Sequence, residues 1–456
     1  MRSRGWIRAS ALGLAVGLAG CASYEPLELP QHPSLAPGLG QLNLELPSAE
    51  AGSPTKLDAE RPLTPDEVGL LAVVNNPELA AQRGKVAAAQ AEVVSAHALP
   101  NPSLSFAYGL LVSGPATADS ITASISQDIQ SIVTYRPRVA AAESRFRQVR
   151  ADSLWQEWQV AQKARLLAVG VNADAREIEL REQALDLLTK ELSQVQQATA
   201  AGNLSLTAEA PLIAGVATAQ RDLAAARLTQ LKDWQELDAV LGLQPNVRFS
   251  VSSPEPAALP QDLDPLLETL PARRPDLVAL RLGYDAAEAD VRAAILGQFP
   301  AFGLGVAGGS DTSQVVSVGP QITMDLPIFN RNQGKIASVR ATRQQLRAEY
   351  LARLDDAEGT ARGLLVRART AAENLARARE ASTTASAQLE AAQRAYRQGN
   401  ISQRDRADFQ ATAFERQLEV LDYERTLQEN SLALSIELGL GLPQTLPVAP
   451  TQEKSL

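Results

Sequence analysis

One cysteine, two histidines and two methionines in 456 residues exclude a disulfide framework. They also leave too few soft ligands for a thiolate or imidazole metal cage. Aromatic residues make up only 4% of the chain, little for a single large globular core. Basic charge is short as well: 43 lysines and arginines face 52 acids, a net charge of −9, which speaks against nucleic acid as a partner. Proline is missing between Pro137 and Pro211, and again between Pro327 and Pro443, so each stretch can hold a very long helix. No nucleophile stands with a base, and neither a phosphate loop nor a metal-ligand spacing occurs. The chain therefore reads as a protein without catalytic residues, cofactor or bound metal, and not as an enzyme.

What is present begins with an address. Arg2, Arg4 and Arg8 precede the apolar run Ala9–Leu18, which is too short to cross a bilayer and ends in Leu18-Ala19-Gly20-Cys21. Residues 1–20 thus read as an export signal. Leu-Ala-Gly-Cys resembles the bacterial lipobox, which implies that Cys21 carries lipid. Ala22, where aspartate would retain a lipoprotein in the inner membrane, favours the outer membrane. Residues 21–62, rich in proline, glycine and serine, are expected to form an extended lipid-anchored tether.

The remainder is written twice. Gly202-Asn203-Leu204-Ser205 returns as Gly399-Asn400-Ile401-Ser402, 197 positions later. Each stands between two helical stretches and reads as the tip of a helical hairpin, with a left-handed glycine ending one helix and a serine capping the next. Thr64-Pro65-Asp66-Glu67 starts a helix, broken at Asn76-Pro77, to which Arg274-Pro275 corresponds. Apolar residues alternate with small or polar ones over about 102–112 and 120–130, and again over about 300–309 and 315–326, which predicts two β-hairpins. Long helical hairpins are expected over about 138–242 and 333–440. The order is a first repeat at 63–245, a linker at 246–273, a second repeat at 274–443 and a disordered tail at 444–456.

Length decides how such helices pack. Some 60 residues at about 1.5 Å each make a rod of about 90–100 Å, which must pack sideways. Ala413, Val420, Leu427 and Leu434 form one seven-residue seam, and Phe414 and Leu421 a second. Two seams on one helix suit a wall of helices. Strands of about 9–11 residues are long enough to cross a membrane at a tilt, with apolar side chains toward lipid. Four strands cannot close a barrel, so several copies must share one.

Taken with this order of elements, Asp325-Leu326-Pro327-Ile328-Phe329-Asn330-Arg331-Asn332-Gln333-Gly334-Lys335-Ile336 makes the chain resemble a TolC-type outer-membrane efflux protein across about Leu63 to Pro443. The Phe-Asn-Arg-Asn-Gln-Gly version is most similar to the cobalt–zinc–cadmium efflux branch. The resemblance implies a mainly α fold with a transmembrane β-barrel. A homotrimer would form a 12-stranded barrel on a 12-helix periplasmic tube, partnered by outer-membrane lipid, a periplasmic adaptor protein and an inner-membrane pump. Heavy-metal cations would be the exported substrate; a drug or type I secretion duct is the alternative, and a soluble periplasmic coiled-coil scaffold is the rival of another class.

Matched onto this sequence, the family's closing tips fall on Gly202, Asn203, Leu204 and Ser205 and on Gly399, Asn400, Ile401 and Ser402. Its paired gate aspartates fall on Asp405 and Asp408, and its gate tyrosine on Tyr396. The first repeat has Ala208 and Pro211 where the second has the aspartates, so a gate would rest on the second hairpin. Arg404 and Arg406 stand beside the pair and could neutralise it. Asp128 and Asp325 read as ordinary polarity at strand ends, His32 as part of the tether, and His97 as structural.

Overall fold

The structure is a computed structural model that describes residues 24, 26–46, 55–114, 118–253 and 258–441. Cys21, the signal segment and the tail 444–456 lie outside the described residues. Two units are distinguished, Met1–Leu35 and Ala36–Leu456. The described residues of the first carry no helix or strand. Everything below concerns the second.

This unit is mainly helical and repeats one order of elements. Helices α1 (Pro65–Asn75) and α2 (Pro77–His97) precede strands β1 (Ser103–Gly109) and β2 (Ser120–Asp128). Then come α3 (Tyr135–Ala200) and α4 (Ala210–Leu241). The second pass runs through α5 (Pro275–Leu296), β3 (Phe302–Ser310), β4 (Val316–Met324), α6 (Gln333–Arg397) and α7 (Gln403–Glu437). Helix α3 has 66 residues, about 100 Å of rod.

The break between α1 and α2 follows from local chemistry. Thr64 and Glu67 form a reciprocal capping box with Pro65 at the first position, a strong start signal. Asn76 is extended (φ −62°, ψ 124°), as the residue before a proline prefers, and its side chain caps the Glu78 and Leu79 amides. Its Nδ2 also donates to the Val240 carbonyl at the end of α4, 2.9 Å away. In the second repeat, Arg274 precedes Pro275 and donates from Nη1 to the Glu437 carbonyl, 3.3 Å away, at the end of α7. Val240 and Glu437 are 197 positions apart, so the duplication is visible in individual contacts.

Each repeat has its own core where the short helices meet the long hairpin. Leu63, Val68, Leu71, Leu237 and Leu241 pack with Ala164 and Ala168 of α3. Leu270, Leu277, Leu434 and Leu438 pack with Ala357 and Ala361 of α6. On the long-helix side alanine is mixed with larger residues, Val171 in the first core and Leu364 and Leu365 in the second. Helix α3 is the hub, in contact with α1, α2, α4, α5 and α7.

Three expectations are corrected here. The tether was expected through residue 62, yet Leu39 and Leu57 are buried in the first core and Ala36 exchanges backbone hydrogen bonds with Gly242 and Gln244. These leucines have no regular period, so their burial left no trace in the pattern. The linker 246–273 likewise contributes Leu263 and Leu270 to the second core, through helical turns at 264–268 and 270–273. Finally, β1 has seven residues and the other strands nine. Strand β1 stops short of residue 112 because Asp119 takes the Leu111 amide (2.9 Å) and the Tyr108 hydroxyl, folding the chain out of the ladder.

The four strands make one antiparallel sheet in the order β1-β2-β3-β4. Leu104 lies opposite Ile125, and Ile125 opposite Val306, so one face is apolar, and its large side chains are exposed. The other face carries serine, threonine, glycine and glutamine, with the Ser103–Ser126 (2.8 Å) and Ser105–Ser124 (3.1 Å) hydroxyl pairs across the strands. Asp128, at a strand end, is the one charged side chain in the four strands, and its carboxylate is spent on the Gln130 amide. Strands β1 and β4 are both edges. Pro320 sits in β4, where an edge tolerates a missing donor. No described helix is long and apolar enough to cross a membrane.

Candidate functional site at the hairpin tips

The two tips reverse the chain identically. Gly202 and Gly399 have φ of 77° and 74°, the left-handed conformation that costs glycine least. The Asn203 amide reaches the Ala198 carbonyl (2.8 Å) and the Gly202 amide that of Thr199 (2.9 Å). Asn400 and Gly399 do the same with Ala395 and Tyr396, both at 2.9 Å. These paired bonds define a Schellman motif in each tip.

The restarts differ. Ser402 and Asp405 close a capping box: the Asp405 amide donates to Ser402 Oγ at 3.1 Å, while Asp405 Oδ2 accepts from the Ser402 amide at 3.0 Å and its hydroxyl at 2.7 Å. Helix α7 therefore starts at once, at Gln403. In the first tip Ala208 replaces the acid and Pro211 follows. Ser205 caps only a 3-10 turn, Leu206–Ala208, and α4 begins at Ala210. The exposed surfaces differ in kind too. The first tip presents Leu204, Leu206 and Ile213, with Leu206 77% exposed, and the second presents Arg397, Arg404, Asp405 and Asp408.

Asp405 and Asp408 are both exposed at the start of α7, one turn apart. The Ser402 hydroxyl, followed by its backbone amide, holds the Asp405 carboxyl below the ordinary aspartate range. Arg406 does not neutralise the pair. It turns away, stacks 4.8 Å over the Tyr396 ring and donates from Nη2 to Glu191 Oε1 on α3, 3.3 Å away. Glu191 is 3% exposed, and burial, opposed by Arg406, raises its carboxyl. Gln403 of α7 adds a bond to Gln194 of α3. Tyr396 thus stands beside an interhairpin tie rather than beside the aspartates alone.

Glu191, Gln194 and Gln403 were not legible as site residues. Glu191 and Arg406 are 215 positions apart, and the only signal is that both lie within about three helical turns of a tip. A second tie joins the hairpins further from the tips. Arg425 of α7 contacts Asp174 of α3 (2.6 Å), Asp233 of α4 (3.4 Å) and Glu429 of its own helix (2.8 Å). A Cβ at residue 170 would lie 3.0 Å from Asp233 Oδ2 and 3.6 Å from Arg425 Nη2, so Gly170 makes room for the cluster. Asp174 is 2% exposed. Burial, with Arg425 opposing it and Asp233 adding to it, pushes its carboxyl up to about 6. His97 bonds the Val93 carbonyl at 2.9 Å and lies against Tyr135. Among the described residues no cluster of acids, histidines or cysteines could hold a metal.

Comparison with known proteins locates the relatives of this arrangement. Residues 266–440, from the end of the linker through the second repeat, match the family described as outer membrane efflux protein. No curated protein matches the chain. A membrane protein from Pseudomonas aeruginosa superposes with a TM-score of 0.70 at 18% identity, covering 91% of this chain and 99% of that one. CusC, solved in a study of folding and transmembrane channel formation, gives 0.68 at 18% identity over 93% of this chain and all of that one. The CmeC outer membrane channel of Campylobacter jejuni gives 0.69 at 15% identity over 93% and 96%. The chain is therefore similar in fold to outer-membrane channels along nearly its whole length.

Proposed function

We propose that the chain is the outer-membrane duct of a tripartite efflux system, passive itself and supplied by an inner-membrane pump through a periplasmic adaptor. The observation that carries this reading is the four-stranded sheet. One face is apolar and exposed, the other polar with Asp128 as its single charge, and both edges are unpaired. In lipid an open edge is costly, because each unpaired backbone group forfeits its hydrogen bond. Joining β4 of one copy to β1 of the next closes the ladder, and three copies give twelve strands around an aqueous lumen. The long hairpins would then form the periplasmic wall, with the lipid on Cys21 holding the N-terminal segment at the same membrane.

In this arrangement the tips meet the adaptor and close the tube. Asp405 and Asp408 contribute six carboxylates around the opening, favouring cations. The Glu191–Arg406 tie restrains the second hairpin against the first. We assign heavy-metal cations as substrate on the Phe329–Gly334 motif.

Two measurements test this reading. The detergent-extracted protein should have the mass of three chains, and release from membranes without detergent would sink the duct. A deletion strain should become sensitive to divalent cobalt, zinc or cadmium; sensitivity to hydrophobic drugs alone would transfer the assignment to a drug duct.

A further inference from the structure

The two long hairpins are zipped within themselves more evenly than to each other. In the second, α6 buries Ala371, Ala378, Ala385 and Ala392 down to the tip, the seven-residue spacing of a coiled-coil seam, and α7 is the helix it pairs with. Between the hairpins the picture changes. Helix α3 buries Ala168, Val169, Gly170, Val171 and Asp174, and then nothing until Glu191. Asp174 and Glu191 are 17 positions apart, about 25 Å of helix. Among the described residues, side chains of α3 and α7 bond only at the two ends of this gap. Arg425 meets Asp174 and Glu424 meets Arg176 toward the sheet, and Arg406 meets Glu191 and Gln403 meets Gln194 toward the tips.

The end toward the sheet is short of positive charge. Arg425 alone serves three carboxylates, Asp174 at 2.6 Å, Glu429 at 2.8 Å and Asp233 at 3.4 Å. The other charges at this level are spent on one another: Arg181 on Glu177 at 2.7 Å, and Arg176 and Arg379 on Glu424 at 3.1 and 2.9 Å. Asp174 is 2% exposed, and its Oδ2 is buried with no hydrogen-bond partner among the described residues. An ionised carboxylate is costly in such a place, and a neutral carboxyl much less so. The cluster nevertheless borders open space. A cavity of about 520 Å³ is lined by Ala173, Glu177, Leu418, Asp422 and Arg425, and another of about 430 Å³ by Asn172, Arg176, Arg379 and Glu424.

We propose that this end of the seam is a proton-keyed latch: Asp174 is neutral beneath Arg425 while the second hairpin lies against the first, and it gives its proton to water when that hairpin swings away. Arg425 then keeps Asp233 and Glu429 as partners. Opening is linked to proton release, so acid favours the closed duct. The latch rests on the duct reading proposed above. With the closed carboxyl at about 6 and a hydrated one near about 4, opening should fall about tenfold for each chain between pH 7.5 and pH 5. Glu191, raised by burial against the opposing Arg406, acts in the same direction at the tips. Asp405, held below the ordinary aspartate range, does not titrate in this window.

The test uses the full chain in lipid bilayers and has two readouts. Infrared difference spectra between pH 7.5 and pH 5 should show a protonated-carboxyl band with a midpoint near pH 6, kept in E191Q and missing in D174N. In single-channel recordings the open probability of the wild type should fall at least tenfold over the same range. D174N should stand near the wild type's pH 5 level already at pH 7.5 and lose most of the step, whereas E191Q should retain it. An infrared band unchanged by D174N, or a D174N channel that follows pH as the wild type does, overturns the latch. Loss of the whole step in E191Q alone assigns the response to the tip tie and overturns it too. Folded, membrane-inserted protein that passes no current at any pH contradicts the duct reading itself, and the latch falls with it.

Discussion

Gly202 and Gly399 close the same reversal with the same hydrogen bonds, but the chain leaves the two turns by different routes. The second tip restarts its helix within one capping box and surrounds it with charge. The first, lacking an acid at residue 208 and carrying Pro211, passes through a 3-10 turn and exposes leucine. The same contrast recurs where each repeat begins. Asn76 caps its helix and binds the Val240 carbonyl as a neutral amide. Arg274 reaches the equivalent carbonyl as a cation among carboxylates. Duplication kept the backbone geometry of turns and junctions and left the side chains free to diverge toward charge in the second copy. A symmetric wall of hairpins can in this way carry one apolar tip and one ionic tip per chain.

The junctions offer the largest break in this comparison. Arg274 is 3% exposed, pairs with Asp276 (2.8 Å) and Glu437, and lies 4.7 Å over the Trp155 ring. Arg274→Ala leaves Glu437 without its cation and Asp276 with only the longer Arg353 contact (3.5 Å), and should destabilise by about 3 kcal/mol. Asn76→Ala removes a cap and a neutral hydrogen bond, about 1–2 kcal/mol. Thermal unfolding of the detergent-solubilised protein reads both, and equal losses would mean that the two junctions bear load alike.

Next comes the tie between the hairpins. The folded chain holds the Asp174 proton up to about pH 6, whereas an unfolded aspartate releases it near about 4. The stabilisation from that proton is therefore full below about pH 4 and is lost as pH rises through about 6. Asp174→Asn should exceed the wild type in stability by about 2 kcal/mol at pH 7.5, with the gap closing toward pH 5. Melting curves across that range check it; a gap independent of pH would show that Asp174 is not held protonated.

The tips themselves should show a smaller difference. Ser402→Ala should cost about 1 kcal/mol and speed amide exchange in the first turn of α7, because the hydroxyl arm of the capping box is lost and only the residue-402 backbone amide still reaches Asp405. Ser205→Ala should cost a few tenths, because Ser205 holds only a 3-10 turn. Equal exchange in the two variants would erase the distinction between the restarts. Smallest of all, Leu206→Ser should leave stability unchanged within about 0.5 kcal/mol, since the side chain is 77% exposed. A large shift would show that the first tip is packed.

The legible parts of the fold were those with strong local causes. The Thr64 cap, the Asn76-Pro77 break, the glycines of both tips and the alternating strands each follow from residues within a few positions of one another. Irregular leucines in contact across the fold left no such mark, so Leu39 and Leu57 read as tether and Leu263 as linker. At the candidate site, Asp405, Asp408 and Tyr396 could be placed on the second hairpin. The direction of Arg406 could not, because its partner Glu191 lies on another helix two hundred positions away and becomes its neighbour only through the packing of α3 against α7.

The measurement that most directly tests the central claim, a duct closed by sharing strands between copies, is single-channel recording of the purified protein in a planar bilayer. Discrete, long-lived conductance steps are expected, with a cation preference that falls in Asp405→Asn with Asp408→Asn. Folded, membrane-inserted assemblies that pass no current would contradict it.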